Sequence, residues 1–256
     1  MKVKAACNHK QHNMSSLTDK ILNWLYPPAC IACKVMLPVN LGNFYICERC
    51  EPLFERVEYP ICNKCGQNLN AEDENCASCF GKSFYFESNV STFVYDELMR
   101  DLLHDMKFRN KKRIAAGLGL LWAKCIEMPD GEYLLTWLPM HQKKQKERGF
   151  NQAEVMAKEI AKAHGVSCRN IIRRVIDTPA QSGLHPKLRQ ENVKGVFEIN
   201  RGQSLQGSSV VVIDDIFTTG ASLNECARVL KENGAKVIYA KTLSITPKKI
   251  NSKENL

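Results

Sequence analysis

Two adjacent carboxylates followed by small and hydroxylated residues make the most informative stretch of this chain, Val210 through Ser222 (VVVIDDIFTTGAS). Four β-branched aliphatics, Val210, Val211, Val212 and Ile213, suit a parallel strand covered on both faces. Asp214 and Asp215 sit where that strand is expected to end, the edge at which open α/β sheets bind ligands. Thr218, Thr219, Gly220, Ala221 and Ser222 follow, and a helical pattern starts near Leu223. Such a turn lets backbone N–H groups close around a phosphate at a helix N-terminus, with the hydroxyls as further donors. Acids facing the phosphate itself would repel it. The order of parts therefore suits a ligand with hydroxyls near the acids and a phosphate near the turn, which is the shape of a ribose 5-phosphate. The spacing differs from a nucleotide P-loop, which needs Gly-Lys-Ser/Thr, and from a dinucleotide GxGxxG. The plain alternative is an ordinary strand–turn–helix corner with an acidic cap.

The second chemical signal is cysteine. Of twelve cysteines, eight form four CxxC pairs: Cys30/Cys33, Cys47/Cys50, Cys62/Cys65 and Cys76/Cys79. Two residues between thiols let both sulfurs reach one tetrahedral metal, so each half can supply four thiolates to a structural zinc. Gly66, directly after Cys65, fits a tight knuckle turn. The spacers are too short and polar to build a core, so the metal must hold this module together. Disulfides are disfavoured by the cytosolic context, and a thioredoxin-like redox role by the absence of a surrounding βαβ pattern. Four thiolates also suit iron–sulfur ligation, and a cross-braced pairing, first with third, stays open beside the sequential one. Cys125 and Cys226 lie in helical patterns and read as small core residues. Cys7 with His9 and His12 could chelate metal, but a disordered leader is the better reading.

Further candidates flank the motif. Leu138-Pro139-Met140-His141 closes an expected strand, so the loop after it should open at the same sheet edge. A basic loop then runs from Gln142 to Gln152. Its Arg148 offers fixed bidentate donors suited to a pyrophosphate, Gly149 gives backbone freedom, and Asn151 can cap the next helix. The long polar connection Gln181 to Asn192 has the length of a binding loop, with His185 a weak acid–base candidate. Lys107-Phe108, after a short helix, is a weak candidate too.

These residues need elements to position them. At 256 residues the chain can hold one large domain with an accessory module. The expected divisions are a leader and short helix over 1–28, a double zinc ribbon over 29–83, an α/β domain over 84–247 and a polar tail over 248–256. Strands are predicted at 90–95, 134–138, 171–175, 196–199, 210–213 and 237–244. Helices are predicted at 17–25, 96–105, 111–126, 151–164 and 223–233, and Gly234 should cap the last. Strands alternating with helices predict a mostly parallel sheet. No apolar run reaches the ~20 residues that span a bilayer, and the polar N-terminus lacks a secretory core, so a cytoplasmic location is expected. The formal net charge is +9. Acids concentrate between Glu51 and Glu87 and bases later, at Lys107 to Arg113, Lys143 to Arg148 and Arg169 to Arg174. Such a chain attracts phosphorylated small molecules, nucleic acid or anionic lipid.

The motif at Val210–Ser222 resembles the ribose-phosphate signature of type I phosphoribosyltransferases. Together with the double CxxC ribbon, LPMH followed by KERGFNQ, and Gln181, Leu184, Arg189 and Asn192, it resembles the ComF/GntX family of phosphoribosyltransferase-like proteins. The likeness runs over about residues 20 to 245. Phe217 and Ser222 are acceptable variants, and Met140 stands where leucine is more usual. The resemblance implies a type I phosphoribosyltransferase fold behind an N-terminal zinc module, with two structural zincs. It implies 5-phosphoribosyl 1-diphosphate with Mg²⁺ as ligand. Thr218 to Ser222 would hold its 5-phosphate, Asp214 and Asp215 its ribose hydroxyls, and Pro139, Met140, His141 and Arg148 its diphosphate. It further implies a link to natural competence, with single-stranded DNA and a DNA-translocating helicase as partners; a related branch is linked to gluconate metabolism. A hood over a nucleobase acceptor is not recognisable. The rival reading is a nucleic-acid-binding adaptor or helicase partner without turnover, although aromatics for base stacking are sparse near the lysines.

Overall fold

Val210, Val211, Val212 and Ile213 are at most 1% exposed, so this run is covered on both faces and must lie inside a sheet. They form the middle of β5 (Ser209–Phe217) in a computed structural model that describes residues 28–38, 45–69, 76–108, 111–178 and 193–247. β1 (Ser88–Val94) opens the sheet and is followed by α1 (Glu97–Phe108) and α2 (Lys112–Ala123). β2 (Leu134–Trp137) is followed by α3 (Gln142–Arg148) and α4 (Gln152–His164). After β5 come α5 (Ala221–Glu232) and β6 (Val237–Ile245). The strand order is β1-β6-β5-β2, and every pairing is parallel. Register places Trp137 opposite Ile213 and Phe217 opposite Ile245. Beyond β2, Leu135 N donates to Ser167 O and Arg169 N to Leu135 O, each at 3.0 Å, so one more short stretch extends the edge.

Strand alternation divides the core. Val211 and Ile213 face a cluster with Trp122, Leu118, Met156 and Ile160 from α2 and α4. Val210 and Val212 face Cys226 and Leu230 of α5. The cysteine module is shared between these faces. Cys30, Ile31 and Cys50 join the α2–α4 cluster, whereas Cys62, Cys65 and Cys79 join the α5 cluster. The segment between the two halves runs antiparallel along the outer edge of β1, with Val57 N donating to Thr92 O at 3.0 Å and Val94 N to Glu55 O at 2.8 Å. That pairing covers the free donors and acceptors an edge strand would present.

The observed elements differ from the expected ones in four places. The basic stretch after His141 is a helix, α3, and not a loop. Gln, Lys, Glu and Arg are good helix formers, and Lys146 and Arg148 in the last turn complement the helix dipole; Gly149, at φ 78°, ends it. The strands expected near 171 and 196 are β3 (Ile172–Arg174) and β4 (Phe197–Ile199), which form a separate antiparallel pair. β5 continues through both aspartates to Phe217 rather than ending at Ile213. α1 continues to Phe108, so Lys107 lies within it. Among the described residues, no helix is long and apolar enough to cross a membrane. The leader with Cys7, His9 and His12, the 17–25 helix, the stretch from Gln181 to Asn192 with His185, and the polar tail lie outside the described residues.

Candidate functional site

The thiols come together in two sequential sets, Cys30/Cys33/Cys47/Cys50 and Cys62/Cys65/Cys76/Cys79, with the sulfurs of each set within 4.8 Å of one another. A tetrahedral ion with Zn–S near 2.3 Å needs sulfurs about 3.8 Å apart. Cys33 and Cys47 lie 3.7 Å apart and Cys65 and Cys76 3.5 Å, so the residues fit that ion. Backbone geometry serves the sulfurs: Cys47 N points at Cys30 Sγ at 3.5 Å, and Gly66, at φ 78°, closes the second knuckle. Of the remaining cysteines, Cys226 is fully buried in the α5 cluster, as expected of a core residue. Cys125 lies in the turn just past α2, where Arg56 donates to its sulfur.

The β5–α5 corner turns on Gly220. Its φ of 73° is the left-handed region, and a Cβ there would stand 2.7 Å from the Phe217 ring. Phe217 is only 4% exposed, so the ring cannot simply move aside. Gly220 is the N-cap of α5 and supplies no side-chain cap. The N–H groups of the first turn lack intrahelical acceptors; Ala221 N donates to Thr219 Oγ1 at 3.4 Å, and the positive end of the helix dipole at this corner favours an anion. Thr218 is exposed and Thr219 and Ser222 are half-buried, so the turn opens to solvent, while Gly220 and Ala221 are buried beneath it.

The two aspartates are not equivalent. Alternation puts Asp214 on the face of Val210 and Val212, the side of α5, and it remains half-buried. Its Oδ1 accepts from Asp215 N at 2.9 Å. Burial, then the charge of Asp215, pushes the Asp214 carboxyl well above the usual carboxylate range. Asp215 is on the other face and buried, and its Oδ2 is ion-paired to Lys107 Nζ of α1. Burial acts to raise its carboxyl as well, but Lys107, the hydrogen bonds and the charge of Arg148 outweigh it and hold Asp215 below its ordinary value.

α3 and α4 supply the other wall. Arg148 is half-buried and its Nη1 donates to Gln152 Oε1 at 2.7 Å, which fixes the guanidinium across the break at Gly149. Asn151 does two tasks: its Oδ1 accepts from Ala153 N at 3.0 Å and its Nδ2 donates to Leu138 O at 3.1 Å, tying the start of α4 to the end of β2. Pro139 is buried, and Met140 and His141 are half-buried. His141 caps α3 and lies 3.7 Å from Asp177 Oδ1, with Lys144 3.6 Å from the same oxygen. The structure thus sets Arg148 and Lys107 about Asp215, keeps Asp214 beside Asp215, and draws His141 towards Asp177. Sequence reasoning missed Gln152 and Asp177 and ranked Lys107 low. The signal for Lys107 was its position at the end of an apolar helical stripe. A separate groove of about 550 Å³ on the first cysteine half is lined by Glu48, Glu51, Pro52, Phe54, Glu55 and Arg56. Its three carboxylates make it unsuited to a phosphorylated ligand.

Comparison with known proteins gives the same two-part organisation. The family model of the double zinc ribbon domain matches residues 21–80, and that of the phosphoribosyl transferase domain matches residues 147–254. The chain is 27% identical over 222 residues to the DNA utilization protein YhgH of Escherichia coli K12, covering 83% of this chain and 94% of that protein. It is 26% identical over 217 residues to Competence protein F of Haemophilus influenzae, covering 82% and 93%. Competence protein ComFC of Bacillus subtilis is 26% identical over 209 residues, covering 74% and 79%. The two four-cysteine sets are accordingly zinc-ribbon sites.

Proposed function

Because the chain belongs to the ComF family, a double zinc ribbon joined to a type I phosphoribosyltransferase-like domain, we propose that it binds 5-phosphoribosyl 1-diphosphate with Mg²⁺ and acts in the uptake or handling of single-stranded DNA. The observation that carries the ligand is the Gly220 corner: the N-terminus of α5 behind a turn that opens to solvent at Thr218, six residues after a half-buried Asp214 on the α5 side of the sheet. Thr218 to Ser222 hold the 5-phosphate. Asp214 accepts hydrogen bonds from the ribose hydroxyls, and the ionised Asp215 favours positive charge developing on the sugar. Arg148, which carries its charge at any relevant pH, faces the diphosphate. Mg²⁺, when bound, offsets the charge of the diphosphate. Fold alone does not establish turnover, so the acceptor is to be found by mass spectrometry of candidate acceptors after incubation with donor and Mg²⁺.

The DNA part of the proposal rests on the names of the relatives, DNA utilization protein and competence protein, and on the net charge of +9. It admits a second reading, an adaptor that grips single-stranded DNA or a DNA-translocating helicase without chemistry. Calorimetric titration with phosphoribosyl diphosphate tests the first. Saturable, Mg²⁺-dependent binding is expected, lost in Asp214→Asn/Asp215→Asn. If that double variant bound as tightly as the parent, the assigned site would be wrong. Single-strand affinity falling steeply with salt would favour the adaptor.

A further inference from the structure

We propose that Lys107 is an additional ligand-binding residue of this pocket, delivered by α1 and held in place by Asp215, and that it takes the diphosphate half of the ligand. The inference rests on the reading that the pocket accepts a phosphoribosyl diphosphate. Met99, Leu103 and Lys107 fall at i, i+4 and i+8 of α1, one above another on the face that packs into the core. Met99 and Leu103 are each 1% exposed. A lysine in that stripe breaks the apolar pattern, and proteins retain such breaks mainly at functional sites. An internal ion pair gives little stability over an apolar pair of similar size, because both charges lose hydration. Lys107 and Asp215 are nevertheless both sequestered, with side chains 24% and 8% exposed.

A second cation joins that pair. Lys107 contacts Asp215, and Arg148, from a different helix, acts electrostatically on the same carboxylate. Two fixed cations from two helices thus stand about Asp215, and the adjacent Asp214 also lies in the field of Lys107, beside the carboxyl ends of the strands. Nearby lysines are engaged elsewhere: Lys111 with Asp105, and Lys144 with Asp177 and Thr178 O. Lys107 and Arg148 are therefore the cations gathered at this sheet edge, and a pair of cations from two helices suits a group carrying several negative charges. Asp215 is here a positioning residue as well: it aims the Lys107 ammonium.

The test separates the two ends of the ligand. Titrate parent, Lys107→Met and Lys107→Arg with phosphoribosyl diphosphate and with ribose 5-phosphate, which lacks the diphosphate. Lys107→Met keeps the apolar stem and should weaken phosphoribosyl diphosphate at least tenfold while leaving ribose 5-phosphate within twofold. Lys107→Arg should recover much of the loss, and Asp215→Asn should show the same selective weakening as Lys107→Met. Equal weakening of both ligands, or of neither, overturns the role of Lys107. If Lys107→Met does not fold, Lys107→Gln is read by the same ratio, and a ratio equal to the parent's overturns the role. Failure of the parent to bind either ligand defeats the pocket reading itself, and is thereby distinguished.

Discussion

Replacing Gly220 by alanine should cost stability through two separable effects. Gly220 sits at φ 73°, a conformation that costs a residue with a Cβ about 1 kcal/mol. Its new Cβ would also stand 2.7 and 2.9 Å from two carbons of the Phe217 ring. That ring is buried, so relief requires an off-rotamer side chain or a backbone shift, an overpacking cost of roughly 2 kcal/mol. Together the loss is about 3 kcal/mol, which at a urea slope near 2 kcal/mol/M lowers the unfolding midpoint by roughly 1.5 M. Gly149 supplies the control. It has φ 78° but nothing within 4 Å of its Cβ position, so Gly149→Ala should carry only the backbone cost of about 1 kcal/mol. Both variants are unfolded in urea with saturating zinc and followed by tryptophan fluorescence and circular dichroism. A Gly220→Ala midpoint no lower than that of Gly149→Ala would refute the claim that Phe217 confines the turn. Ligand binding should fall in Gly220→Ala as well, since movement of the corner displaces the helix N-terminus proposed to receive the phosphate.

Two further outcomes follow from the charges and the thiols. Asp214 has a folded value raised above its unfolded one, so its contribution to stability is present at low pH and is lost as pH rises through the folded value. Asp214→Asn should therefore raise the thermal midpoint of the ligand-free protein at neutral pH, with a smaller gain near pH 4, while removing ligand binding; a lower midpoint at neutral pH would contradict the assignment. The parent should carry two zinc ions per chain by elemental analysis. Cys62→Ser should lose one of them and several kcal/mol of stability, on the order expected for a structural zinc. Cys33→Ser should lose the other at a smaller cost, because Cys33 is exposed whereas Cys62 is at 0% exposure in the α5 cluster.

Much of this molecule was legible in its residues. The CxxC spacing defined the metal ligands, and the β-branched run defined a strand covered on both faces. The Asp-Asp to Thr-Thr-Gly-Ala-Ser order defined the corner, and the Asn151 cap and the left-handed Gly66 were readable as well. Each of these signals lies within a short window, where residue type and period act directly on the backbone. α3 was misjudged within such a window, because its charge was weighed above its helix propensity.

Sequence could not decide how separate windows meet. That the two cysteine sets close sequentially, and that their module straddles opposite faces of the sheet along the edge of β1, depends on which surfaces exclude water together. That β3 and β4 pair with each other outside the main sheet is likewise a tertiary outcome. The aspartates make the point most sharply. Adjacent in the chain, they were given one role, but continuation of β5 leaves Asp214 half-buried on the α5 side with its carboxyl pushed up, and buries Asp215 against Lys107 with its carboxyl held down. Composition names the charges; only the folded chain fixes which of them lose water and which partner remains to meet them.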